Sequence, residues 1–168
     1  TVYSQTNDGY VRNGNSNWAT ARDAATGNEV NSTATSQISA IQAGLEKGNY
    51  WVARAFFQFN LSGVTGTISE ATLKVYGRSH ASGWSQADFF AVKSTHVTGM
   101  MDSPLSTADF DAITGWDTST GADGSGAGDQ ESNVTKYSDE ITSWSTSGYN
   151  DITLNATARS DMVNNTYF

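Results

Sequence analysis

Hydrophobic and polar positions alternate most regularly over Trp51–Leu61 (WVARAFFQFNL) and Ala71–Val75 (ATLKV). Trp51, Ala53, Ala55, Phe57, Phe59 and Leu61 share one face at period two. Arg54, Gln58 and Asn60 share the other with Tyr50, Val52 and Phe56. Past the connector Gly63–Glu70, Ala71, Leu73 and Val75 alternate with Thr72, Lys74 and Tyr76. Strict alternation marks a strand with one face in a core. Two such runs joined by a Gly/Thr/Ser-rich connector predict neighbouring strands of an antiparallel sheet.

The remaining pattern predicts further short strands. Thr1–Arg12 begins strand-like, breaks at an Asn7-Asp8-Gly9 turn signal and resumes with Tyr10 and Val11. Asn13–Thr35 reads as a long polar loop, with one helical turn at Asp23-Ala24-Ala25 as its exception. Gln37–Leu45 fits either a strand or a helix face through Ile38, Ile41 and Leu45; a strand at its end, turning at Glu46–Asn49 into the central run, is the favoured reading. Asp88–Val97 alternates again, and Met100–Gly115, with the sole proline Pro104, crosses between sheets. Tyr149–Leu154 closes the pattern with Ile152 and Leu154 inward, and Asn155 is placed to cap a helical turn running to Met162. The expected fold is all-β, an antiparallel β-sandwich with little helix, as a single domain over residues 1–168.

Composition agrees. Aromatic residues are 11% of the chain, enough for a sandwich interior, while charged residues are 15%, well below the usual quarter or so. Ser, Thr, Asn and Gly fill the difference, which suits many turns and an uncharged polar surface. There are 17 acidic residues against 9 basic ones and no basic cluster, so nucleic-acid binding is not expected. No cysteine is present, which removes disulfides and thiolate metal sites. No apolar run is long enough to span a membrane, so no membrane insertion is expected. The chain starts at Thr1 without a signal peptide, as a processed secreted protein or an excised domain would.

Four segments in order, Asp8–Val11, Arg54–Ser62, Ile68–Tyr76 and Asp151–Thr157, resemble the DNRLRE-type domain. This is a jelly-roll family of bacterial and archaeal extracellular proteins, related to some carbohydrate-binding modules. RAFFQFNLS followed by ISEATLKVY is the most specific part. The chain departs from the family at Asn60, where Asp is common, and in a longer stretch between Arg12 and Tyr50. The resemblance implies a jelly roll and a non-catalytic module, secreted or displayed on the cell surface of a bacterium or archaeon.

The candidate chemistry is of binding rather than catalysis. A triad needs a histidine base oriented by a carboxylate; His80 and His96 are the two histidines, and neither sits in a catalytic motif. No acid lies in a pattern that marks a glycosidase. For calcium, Asp117, Asp123, Asp129 and Glu131 fall in the Gly-rich segment Gly115–Glu131, where glycines let carbonyls turn toward a hard cation; Asp8 and Asp23 are weaker ligands. For carbohydrate, Trp18, Trp84, Trp116 and Trp144 lie in polar surroundings where a ring could take a sugar face, with plugging of the sandwich ends as the alternative. N-glycosylation sequons fall in predicted loops at Asn31 and Asn133. For assembly, Thr1, Val2, Tyr3, Ser4 and Gln5 form an uncharged extended segment that could complete a neighbour's sheet or pair within its own domain.

These features lead to the expectation of an extracellular structural or adhesive subunit, polymerising with copies of itself into a fibre, sheath or matrix with structural calcium. A carbohydrate-binding module of a secreted polysaccharide-degrading enzyme is the alternative, and a small glycan-active hydrolase the distant third.

Overall fold

Gly9, Val11 and Asn13 are buried, and the residues between them are half-exposed, so Gly9–Asn15 forms a strand, β1, with one covered face. The computed structural model describes residues 1–5, 8–32, 42–78, 89–95, 104–116 and 132–168. Strand β1 continues three residues past the end expected from the sequence. The segment beyond it is not one loop. Helix α1 spans Trp18–Arg22, with the Asn17 side chain accepting from the Thr20 N–H as its N-cap. Strand β2 follows at Glu29–Asn31.

Strand β3 (Gln42–Glu46) and strand β4 (Asn49–Phe56) form a hairpin through Lys47 and Gly48, both at positive φ. Those left-handed residues match the twist of the flanking strands. The four strands make one antiparallel sheet in the order β2-β1-β4-β3. Both faces of β4 carry apolar side chains, and the structure turns Tyr50, Val52 and Phe56 inward. They meet Val11, Ala21 of α1, and Leu105 and Phe110 from the segment that follows Pro104. Trp51 lies on the opposite face, across Gly14: a Cβ there would come within 2.7 Å of the indole, so a side chain at this position would have to displace the ring.

Past Phe56 the chain extends to Leu61 and is clamped from two sides. The Gln5 N–H donates to the Gln58 carbonyl, and Ser4 bridges Phe59. On the other side Phe59 exchanges backbone bonds with Phe168, and the Leu61 N–H donates to the Thr166 carbonyl. Ser4 and Gln5 therefore pair within their own chain.

Strand β5 (Thr72–Tyr76) does not lie beside β4, contrary to the expected pairing. Both edges of β4 are taken by β1 and β3. The connector carries the chain to a second antiparallel sheet, where β5 pairs with strand β6 (Tyr149–Thr153). Leu73, Val75, Ile152 and Leu154 face a second core with Tyr137, Ala158 and Phe168. Helix α2 (Ala156–Asn164) is capped as expected, the Asn155 side chain accepting from the Ala158 N–H. Residues 89–94 make isolated bridges, from Phe89 to Ile141, Val92 to Lys136 and Ser94 to Ile113, rather than one continuous strand.

The second core is tied to α2 by a short network. Asp161 Oδ2 accepts from the Tyr137 hydroxyl at 2.6 Å and from Lys93 Nζ at 2.9 Å. Burial pushes the Tyr137 hydroxyl well above the usual phenol value, with Asp161 adding to it. Burial alone would raise the Asp161 carboxyl; the Tyr137 and Lys93 bonds outweigh it and hold it below the usual carboxylate value. A carboxyl held low stabilises the fold above its unfolded value, and that contribution is lost as pH falls through the folded one. Asp161→Asn is expected to cost about 1–2 kcal/mol at neutral pH and to make the acid limb of the stability curve shallower. Urea unfolding across the acidic range checks this; an acid limb identical to wild type would refute it.

Candidate functional site

The polar phase of β5 and β6 builds an exposed ladder. Leu73, Val75 and Ile152 turn inward, so Thr72, Lys74 and Tyr76 turn outward opposite Thr153, Asp151 and Tyr149. The three rungs match like with like or charge with countercharge: Thr72 with Thr153, Lys74 with Asp151, Tyr76 with Tyr149. Lys74 Nζ donates to Asp151 Oδ2 at 2.9 Å. The tyrosine rings meet edge to face, centroids 5.3 Å apart at 88°. They remain 59% and 66% exposed. The three rungs span about 13–14 Å along the strands, a length for an extended oligomer rather than a single small molecule.

The bend over Trp144–Gly148 holds the aromatic rung in place. Asn150 Oδ1 accepts from the Ser145 N–H at 2.7 Å, and its Nδ2 donates to the Ser145 carbonyl at 3.0 Å. The Tyr76 hydroxyl donates to the Ser147 carbonyl at 3.3 Å. A Cβ on Gly77 would lie 1.8 Å from the Ser145 carbonyl oxygen, so this approach admits glycine alone. Trp144 closes the back, edge-on to Phe89 at 5.3 Å.

Beside the ladder runs a groove of about 200 Å³ between Ser138–Ile141 and Asp151–Thr153. Asp151 and Thr153 belong to both the ladder and the groove. Across the groove stand the exposed Asp139 and Glu140. Ring faces, a paired ammonium and carboxylate, and hydroxyls in one line can stack on apolar ring faces of a ligand and exchange hydrogen bonds with its hydroxyls.

The tryptophans expected to take sugars are placed differently. Trp144 buttresses the ladder but is half-buried against Phe89. Trp18 packs edge-on to Tyr50 at 5.9 Å, against the first core. Trp116 covers the guanidinium of Arg54 at 4.2 Å, and its Nε1 is buried without a hydrogen-bond partner. Trp84 lies outside the described residues, as do His80, His96, Asp117, Asp123, Asp129 and Glu131. Among the described residues, no group of three or more His, Cys, Asp and Glu could hold a metal. Asp23 is engaged by Arg22 through two bonds of 2.6 and 2.7 Å. Asp8 accepts the Gln58 N–H, and its other oxygen is buried without a donor; burial raises its carboxyl against the bonds from Ser4 and Gln58. Of the sequons, Asn31 lies in β2 and Asn133 is exposed.

Tyr76 and Tyr149 were not expected as site residues. The signal was present in the alternation, since each is an aromatic in the polar phase of its strand.

Comparison with family models, curated proteins and solved structures finds no match for this chain.

Trp116 therefore has a stability role that the ladder tyrosines lack. Trp116→Ala is expected to lower unfolding stability by about 2 kcal/mol, since it uncovers a desolvated cation and removes ring contacts. Chemical denaturation reads it, and an unchanged midpoint would show that the ring does not shield Arg54.

Proposed function

We propose that this chain is a non-catalytic extracellular module of jelly-roll type that binds glycans on the outer face of β5 and β6. The Tyr76–Tyr149 pair carries this reading. Two large aromatic rings held 59% and 66% exposed, braced from behind and flanked by hydrogen-bonding groups, pack on each other but lie outside both cores. Adjacent apolar exposure of this kind marks interaction sites. The resemblance to the DNRLRE-type domain supports the jelly roll and the extracellular setting. Among the described residues, the groups with displaced titration, Arg22, Arg54, Tyr137, Asp161 and Asp8, sit in framework contacts rather than on the outer face of the ladder. Tyr149→Ala and Tyr76→Ala should abolish retention on insoluble polysaccharide while costing under about 1 kcal/mol of stability. A pull-down paired with thermal melting tests this, and full retention by both variants would reject the face.

Assembly into a fibre, sheath or matrix is a second reading, favoured by one observation. Thr1–Tyr3 extends beyond the last pairing at Ser4, with Tyr3 80% exposed. Such a segment can add to the sheet edge of another copy. The intact protein should then form filaments in negative-stain micrographs, and a variant lacking residues 1–3 should not. Identical particles from both would remove this reading.

A further inference from the structure

We infer that the glycan bound on the ladder carries free amino groups, a polymer of hexosamine with protonated amines rather than a neutral or acidic chain. This rests on the ladder being the glycan face, and it follows from charge.

Among the described residues, the charged side chains that line the groove extending the ladder are Asp139, Glu140 and Asp151, all acidic. Lys74, the cation within the three rungs, is already paired with Asp151 at 2.9 Å, and Arg78, exposed two residues past Tyr76, also has a partner. A ligand lying along the rungs therefore meets, at its flank, two exposed carboxylates, Asp139 and Glu140, that form no ion pair among the described residues. The whole chain carries a net charge of −8, which adds a long-range field of the same sign. A uronate or sulfated chain would meet repulsion on this path. A neutral chain would gain only stacking and hydrogen bonds. An amino sugar gains both of those plus ion pairing, and an ammonium held over Tyr76 or Tyr149 adds attraction to the ring face.

The carboxylates do not converge on one ion. Asp139 and Glu140 lie on one wall of the groove and Asp151 on the other, and no three acids among the described residues are grouped closely enough to hold a metal. Dispersed acids along an extended face suit successive charges on a polymer.

The test is calorimetric titration of the intact protein with three soluble probes: a glucosamine oligomer, its fully N-acetylated counterpart and a uronic-acid oligomer. The glucosamine oligomer is expected to bind tightest, by up to about fivefold for each exposed ion pair formed. Its advantage should shrink as salt is raised and vanish at a pH where the amines are neutral. The double variant D139N/E140Q should equalise the two glucosamine probes while keeping acetylated binding, and Tyr149→Ala should lose both. Equal affinity for the two in wild type, or tighter binding of the uronate, overturns the amino-sugar inference and leaves the aromatic face standing. Amine binding that survives Tyr149→Ala overturns the location. No binding of any probe overturns the inference and the glycan reading together.

Discussion

A half-buried cation organises the larger sheet. Arg54 lies on the inward face of β4 with its guanidinium between two rings, 4.0 Å from Phe110 and 4.2 Å from Trp116. It donates to the carbonyls of Arg22 and Phe110. Desolvating a charge costs free energy, and the hydrogen bonds and ring contacts offset that cost for the covered part of the guanidinium. Burial pulls its pKa down to about 10, against the charges of Asp111 and Asp23, and it stays protonated at neutral pH. The planar fork bonds carbonyls at its edge while its faces stack on rings, a combination lysine cannot supply. These contacts join β4, the end of α1 and the segment after Pro104. They also explain why Val52 and Phe56, rather than Trp51, enter the core: the face that holds Arg54 is the one with carbonyls and rings to meet it. Asp23 is drawn into the same region through Arg22, which leaves it poorly placed to serve as a metal ligand.

The smaller sheet follows a different rule. Two strands alone are marginal in water. Here β5 and β6 are held by what packs behind them: Tyr137 stacked on Phe168 with centroids 4.9 Å apart, Ala158 of α2, and the Phe89–Ala91 segment. All of that support lies on one face. The other is free to carry residues chosen for something other than stability, and it carries tyrosines. The first sheet concentrates buried polar linkage and the second concentrates exposure, so loss of the ladder rings and loss of Trp116 affect different properties of the molecule.

Local alternation was legible. It placed the central strand, β5 and β6, the turn at Lys47-Gly48, and the Asn155 cap with its helix. Three features were hidden for physical reasons. Helix α1 has five residues and β2 has three, too short for a period to show in a polar stretch. Sheet membership is a non-local choice: β5 follows β4 in sequence, but both edges of β4 were already occupied. The face of β4 that turns inward depends on Arg54, and a charged residue in a strand ordinarily argues for solvent. The site shows the same limit. Tryptophans in polar sequence were expected as platforms, yet Trp116 and Trp144 are drawn inward by Arg54 and Phe89, while Tyr76 and Tyr149, within strands of clear pattern, are the rings left outside.

Exposed aromatic pairs on a sheet invite association, and this one is flanked by charge. Lys74 and Asp151 form the next rung, and Asp139 and Glu140 stand across the groove. Charged side chains beside an apolar patch are a usual defence against sheet-to-sheet pairing. Two copies meeting through this face would bring their acidic grooves together under a net charge of −8 on each, and that repulsion grows as salt is lowered. The same arrangement would favour the positively charged polymer proposed above. Assembly, where it occurs, is therefore better served by the N-terminal segment. Thr1–Tyr3 holds no charged side chain, and Ser4 and Gln5 fix its direction on Phe59 and Gln58. The two surfaces thus differ in electrostatics: the tyrosine face combines stacking with negative charge and disfavours its own copies, and the N-terminal strand offers main-chain hydrogen bonds with no charged side chain to oppose pairing.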